Sequence, residues 1–201
     1  MDDVRNIKII LLGEMGTGKT NLINAYFGKP FDSNTFTTLA PEFYQKKLTI
    51  KDINCTVGVW DTAGQEKYRS ISKIVINGAQ IVIYVYDITK KGSFEELEYW
   101  CHSVEEVLGK KVILGLAANK IDLYENQVVS KQEGEKYAKD IGALFKETSA
   151  KDDPNGFCNF INQLLEKYID NNNNEDIIED NTKKRMSINK HKKKKKKKFF
   201  C

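Results

Sequence analysis

The chain has 201 residues, 40% of them hydrophobic, enough for one domain with a real core and too few for two large ones. Its net charge of +4 hides an asymmetry: residues 183–201 carry eleven Lys or Arg and no acid, residues 170–182 carry five acids and no base, and residues 1–169 set 21 bases against 23 acids. A near-neutral body argues against a nucleic-acid-binding core, while the basic tail suits an anionic surface.

Cys55, Cys101, Cys158 and Cys201 are widely spaced, with no CxxC and only two histidines. That pattern excludes a cysteine metal site and a disulfide framework, and points to a reducing, cytosolic compartment. The start, MDDVRN, is charged and leads into no signal peptide, and Asp2 stands where N-myristoylation needs glycine. Asn54-Cys55-Thr56 fits a glycosylation sequon, but in this compartment it reads as chance.

Along the chain, short β-rich apolar runs alternate with helical patterns. KIILL (8–12), CTVGVW (55–60), IVIYVY (81–86) and VILGLA (112–117) read as buried strands of a parallel sheet, and none is long enough to span a bilayer. FYQKKLTI, a turn at KDIN and then CTVGVW read as a hairpin, which gives the sheet one antiparallel edge. The predicted helices are KTNLINAYF (19–27), SFEELEYWCHSVEEVL (93–108), KQEGEKYAKDIG (131–142, ending at Gly142) and FCNFINQLLEKYI (157–169). Ser93 with Glu96 fits a capping box for the second of these. Such alternation implies an α/β doubly wound sheet. From Asp170 the pattern dissolves into an acidic linker and the basic run, so the reading is a domain over 1–169 and a disordered tail over 170–201.

GEMGTGKT (Gly13–Thr20) follows the first strand and opens the first helix, which is the GxxxxGK[ST] phosphate loop in its required context. Gly13 and Gly18 permit turns that aim successive amides inward, and the helix dipole adds to them. Lys19 is placed to reach β- and γ-phosphates and Thr20 to ligate Mg²⁺. Glu14, Met15, Gly16, Thr17 and Asn21 complete the stretch.

AANKID (Ala117–Asp122) follows a buried strand at the carboxyl edge, where such sheets bind ligands. In an NKxD arrangement of Asn119, Lys120 and Asp122, the carboxylate accepts hydrogen bonds from guanine N1–H and the 2-amino group. Adenine offers neither, a mismatch that can cost ~10⁴–10⁵-fold in discrimination. ETSAKD (Glu147–Asp152) can bring the Ser149 hydroxyl and Ala150 amide to the base, beside Lys151; as an isolated string it could equally be a helix cap.

WDTAGQE (Trp60–Glu66) ends the hairpin's second strand. Asp61 suits a water-mediated hold on Mg²⁺, the Gly64 amide can sense the γ-phosphate, and Gln65 can orient the attacking water. Thr38, eighteen residues after Thr20, offers a second hydroxyl to Mg²⁺. Gln65, Lys19 and Thr38 form the candidate catalytic set, and both loops would be held only while the γ-phosphate is present.

These five motifs, in order and spacing over about residues 6–169, resemble a Ras-superfamily small GTPase. Trp60, KYRSIS (67–72), NGAQ (77–80) and YVYDIT (84–89) look most like the Rab family. The resemblance implies a P-loop NTPase with a mostly parallel six-stranded sheet, one antiparallel edge strand and about five helices. It implies GTP/GDP and Mg²⁺ as ligands and slow hydrolysis of GTP until an activating protein intervenes. It also implies an exchange factor, a GDP-dissociation inhibitor or escort protein, effectors, no nucleic acid, and a monomer in vesicle-mediated transport. Phe31, eleven residues after Thr20, resembles the aromatic that packs on the guanine. Phe43 and Trp60 resemble two of the three hydrophobic residues that Rab effectors read.

Four departures stand out. Met15 occupies a loop position usually held by a small residue, where it could crowd Gln65, so slow intrinsic hydrolysis is expected. TLAPEF (38–43) replaces the usual TIGxxF. Val75-Ile76 stand where an aromatic pair is usual, which alters or removes the third effector residue. The tail HKKKKKKKFFC ends in one cysteine rather than two or a CaaX box. Cys201 is the expected geranylgeranyl site, with the lysines as the second membrane signal at ~1 kcal/mol each near an anionic leaflet. A flexible 170–200 would span ~30 Å. Ser187, after Lys184-Arg185, is a candidate phosphorylation site that would weaken that anchor. The competing expectations are a Ras- or Rho-like switch at the plasma membrane, which the polybasic tail also suits, and a GTP-bound scaffold of little turnover, motivated by Met15.

Overall fold

The computed structural model describes residues 4–33, 38, 41–62, 69–109 and 112–173, with backbone alone at 69–72. The chain divides into two compact units, Met1–Glu166 and Lys167–Cys201.

The first unit is built on six strands: β1 Arg5–Leu12, β2 Glu42–Ile50, β3 Ile53–Asp61, β4 Ile81–Asp87, β5 Ile113–Asn119 and β6 Leu144–Thr148. Their order is β2-β3-β1-β4-β5-β6, with only β2 antiparallel to its neighbour. β4 is buried along all seven residues, as expected of a central parallel strand covered on both faces. The hairpin between β2 and β3 turns on Lys51 and Asp52, with φ of 47° and 63°. Two successive left-handed residues are what a two-residue hairpin of this twist demands.

The helices are α1 Lys19–Tyr26, α2 Arg69–Ile76, α3 Lys91–Glu95, α4 Leu97–Leu108 and α5 Lys131–Asp140, and residues 154–166 are also helical (α6). One side of the sheet packs Tyr84, Tyr86 and Leu116 against Leu97, Trp100 and Val104 of α4, with Val75 and Ile76 of α2 in the same cluster. Val75 and Ile76 are thus core residues, 6% and 0% exposed, while their neighbour Ile74 faces outward at 76%.

Three expectations change. The pattern at 93–108 is two helices, not one: they meet at Glu96, where Trp100 N reaches the Glu96 carbonyl only at 3.4 Å. Ser93 is not an N-cap, because the helix begins at Lys91. Its hydroxyl is buried, accepting from Asp87 N at 3.0 Å and lying 2.7 Å from the Lys90 carbonyl, to which it donates. The capping box belongs instead to Ser130 and Glu133 at the start of α5: Glu133 N donates to Ser130 Oγ at 3.2 Å and Ser130 N to Glu133 Oε2 at 2.8 Å. In the second unit, residues 167–173 are helical, so helix reaches into the stretch assigned to the linker, and the Asn172 side-chain amide donates to the Tyr168 carbonyl at 2.9 Å.

Candidate functional site

Five parallel strands end at one edge of the sheet, and each hands over to a predicted motif or to a residue that touches one. Gly13 follows β1, Asp61 ends β3, Asp87 ends β4, Asn119 ends β5 and Ser149 follows β6. The loops there enclose a cavity of about 460 Å³. Met15, Gly16, Gly18, Lys19, Thr20, Asn21 and Thr38 line one end; Phe31, Asn119, Lys120, Asp122, Ala150 and Lys151 line the other.

The phosphate loop is held by its own side chains. Thr17, fully buried, donates from Oγ1 to the Glu14 carbonyl at 2.9 Å. Lys19 Nζ donates to the carbonyls of Gly13 and Glu14 at 2.8 and 2.9 Å. Burial draws the Lys19 ammonium down to about 8, against the pull of Asp61 and Glu14. Two glycines are dictated by space. A Cβ on Gly13 would strike the Val85 carbonyl of β4, and one on Gly18, at φ 92°, would come within 2.5 Å of the Asn119 amide. The loop therefore sits directly on the motif at the end of β5.

Next to Lys19, three oxygens converge. Thr20 Oγ1 donates to Asp61 Oδ2 at 2.6 Å, Thr38 Oγ1 lies 3.3 Å from the same oxygen, and the two threonine hydroxyls are 3.0 Å apart. Asp61 is fully buried, and its second oxygen, Oδ1, has no hydrogen-bond partner among the described residues. Burial pushes its carboxyl pKa up, while the Thr20 bond, the Lys19 charge and the Thr38 bond pull it down. Hard oxygen donors around a buried, half-satisfied carboxylate are the donor set that Mg²⁺ takes when it keeps waters and binds phosphate as well. These residues fit the ion.

At the other end, Asn119 donates from Nδ2 to the Thr17 carbonyl at 2.8 Å and accepts from Thr148 Oγ1 at 3.1 Å. Ser149 Oγ donates to Asp122 Oδ1 at 2.6 Å and accepts from Asp152 N at 2.9 Å. Ser149 thus orients the carboxylate. Phe31 stands 43% exposed at the cavity wall, a flat apolar surface available for stacking. Asn21 holds the loop that carries it, donating to the Asp32 carbonyl at 3.1 Å.

Lys120 has φ 67° and pairs its ammonium with Asp87 Oδ2 at 2.7 Å. Burial opposes the Asp87 charge, but Lys120 and two bonds from Thr89 outweigh it and hold the carboxyl below its usual range. The sequence reading missed Asp87. Its signal was a charged residue closing an otherwise apolar buried strand.

Phe43 and Trp60 pack together across the β2–β3 pair, ring centroids 5.0 Å apart, with Phe43 51% exposed. Lys8 Nζ lies 5.2 Å above the Trp60 ring. Gly64, Gln65 and Cys201, and with them the basic tail and Ser187, lie outside the described residues. Among the described residues, no helix is long and apolar enough to cross a membrane.

Comparison with known proteins agrees with this geometry. A sequence profile of the Ras family matches residues 8–170. The chain is 40% identical over 172 residues to the putative ras-related protein Rab-5B of Dictyostelium discoideum, covering 82% of this chain and 78% of that one. It is 39% identical over 146 residues to the ras-related protein Rab-21 of Homo sapiens and of Canis lupus familiaris, covering 73% of this chain and 65% and 66% of theirs. With a phosphate loop, a hydroxyl–carboxylate cluster and an NKID motif gathered at one sheet edge, the chain belongs to the Rab branch of the Ras-family small GTPases, enzymes that hydrolyse GTP.

Proposed function

We propose that this protein is a membrane-recruited GTP/GDP switch in vesicle-mediated transport. The observation that carries the reading is the convergence of Thr20, Thr38 and Asp61 beside Lys19. Thr38 comes from a different loop than Thr20, yet its hydroxyl lies within 3.3 Å of both Thr20 Oγ1 and Asp61 Oδ2, which sets three oxygen donors side by side at the phosphate end of the cavity. Thr20, Thr38 and Asp61 would hold Mg²⁺, which would supply charge neutralisation to the bound phosphates. Lys19 binds those phosphates by exchanging its bonds to Gly13 and Glu14 for bonds to them. The remaining phosphate-loop residues, Gly13 to Thr20, present amides. Asp122, oriented by Ser149, reads the guanine edge, with Ala150 and Lys151 beside it and Phe31 on the ring. Gln65 orients the attacking water and the Gly64 amide senses the γ-phosphate. When that phosphate leaves, Thr38 loses its partner and the loop is released, which is the switch.

Effectors read exposed Phe43 and the half-buried Trp60 beside it, and an exchange factor, a GTPase-activating protein and an escort or dissociation inhibitor complete the cycle. The domain over 1–169 works at the end of the tether 170–201. Cys201 carries a geranylgeranyl group, and the lysine run supplies the second signal that one lipid chain needs. The protein is then a peripheral one on a cytosolic membrane face, exchanging with the cytosol.

The test is the intact mass of the C-terminal peptide of native protein from a membrane fraction. A geranylgeranyl adduct on Cys201 is expected. An unmodified thiol on protein that still pellets with membranes would overturn the lipid tether and leave reversible, salt-sensitive binding by the lysines alone.

A further inference from the structure

Asp87 ends β4 with its carboxylate 1% exposed, and none of the phosphate, hydrolytic or base-reading motifs includes it. A buried carboxylate is costly unless paired and hydrogen-bonded; here Oδ1 is hydrogen-bonded, while Oδ2 has no geometric hydrogen bond among the described residues and rests on its ion pair. Oδ1 accepts from Thr89 N at 2.9 Å and Thr89 Oγ1 at 2.7 Å. Oδ2 takes the Lys120 ammonium at 2.7 Å. The strand register sets Asp87 opposite Asn119, the residue that precedes Lys120. The Lys120 side chain, 29% exposed, then runs along the cavity. Its Cε lies 3.9 Å from where a Cβ on Gly18 would stand, and the residue lines the same wall as Asp122.

Lys120 therefore spans the gap between the phosphate loop and the base end. It starts from a strained left-handed backbone, and its ammonium is tied down at the far end. An untethered lysine there would sample many rotamers, and ordering it would cost entropy at each binding event. We propose that Asp87 is a positioning residue for the nucleotide: by anchoring the Lys120 ammonium it makes the lysine stem a fixed wall of the pocket, and so sets how long the nucleotide stays rather than which base is chosen. This rests on the guanine-nucleotide reading of the cavity. Base choice remains with Asp122, which faces a different anchor, Ser149.

A purely structural role for Asp87 would act through Thr89 and the turn after β4, and a double-mutant cycle separates the two. Release of fluorescent GDP is measured for wild type, Asp87→Asn, Lys120→Met and the double variant. Asp87→Asn is expected to release GDP ~10-fold faster, as loss of an orienting partner commonly does. Adding it to Lys120→Met is expected to change release by less than about twofold, because the residue it acts through is already gone. Thr89→Val, which strips a bond from Oδ1 and leaves the ion pair, is expected to release GDP at the wild-type rate. The ratio of GDP to IDP affinity, which reports on the 2-amino group, is expected to be unchanged in Asp87→Asn. Wild-type release by Asp87→Asn, equal acceleration in both backgrounds, acceleration by Thr89→Val, or a shifted GDP/IDP ratio would each overturn the inference. If the asparagine variant does not accumulate, Asp87→Ala takes its place in the cycle. A wild-type protein that retains no guanine nucleotide would overturn the reading of the cavity, and the inference with it.

Discussion

Asn119 and Thr17, 102 residues apart in the chain, are joined by a 2.8 Å bond from the Asn119 side-chain amide to the Thr17 carbonyl. Asn119 is 2% exposed, and its other amide atom accepts from Thr148, so the residue is a strut between the phosphate loop and the base end. Truncating it removes the side-chain donor from the Thr17 carbonyl and leaves the Thr148 hydroxyl only its longer, 3.4 Å bond to the Ala118 carbonyl, at ~1–3 kcal/mol. Asn119→Ala is expected to release GDP ~5- to 100-fold faster, since each 1.4 kcal/mol is tenfold. Stopped-flow release measures this, and a wild-type rate would remove the strut.

Asp61 offers a buried oxygen that nothing among the described residues satisfies. If Mg²⁺ completes it, chelation should accelerate GDP release in the wild type by ~10-fold or more, whereas Asp61→Ala should release fast with and without chelator. An Asp61→Ala protein that still responds fully to chelation would place the ion elsewhere.

Asp122, held by Ser149 at 2.6 Å, is the one carboxylate lining the cavity among the described residues. Asp122→Asn inverts its hydrogen-bonding sense toward the base. GDP affinity should fall by ~10³-fold or more and XDP affinity should rise, because xanthine presents an acceptor where guanine presents its amino group. Equilibrium competition between the two nucleotides reads this directly. Unchanged preference for GDP would mean another group reads the base.

Met15 stands 45% exposed on the cavity wall, on the loop that carries Lys19. A long side chain there obstructs the approach of a water-orienting group. Single-turnover hydrolysis by Met15→Ser is expected to run ~10-fold faster than wild type, against a scale of ~10⁻⁴ s⁻¹ for unassisted members. Equal rates would free Met15 of any role in slow turnover.

Much of this site was legible because its parts are local. A phosphate loop is a contiguous string whose geometry follows from glycine, and buried parallel strands are contiguous apolar runs. What the sequence did not yield depends on contacts between distant segments. Ser93 and Ser130 carry the same Ser-x-x-Glu spacing, yet only Ser130 caps a helix; Ser93 sits two residues inside one because Asp87 at the end of β4 claims its hydroxyl. Ser149 is turned onto Asp122 by geometry across β5 and β6. Asp87 acquires meaning only when the sheet sets it opposite Asn119, within reach of Lys120.

The most direct test of the central claim is to denature the protein as purified and identify what it releases. One equivalent of nucleotide per chain, guanine in base and mostly GDP, is the predicted result, since a working switch retains the product of its own turnover. An empty protein or an adenine nucleotide would contradict the guanine site. Persistent GTP would contradict turnover and leave a GTP-bound scaffold in place of a switch.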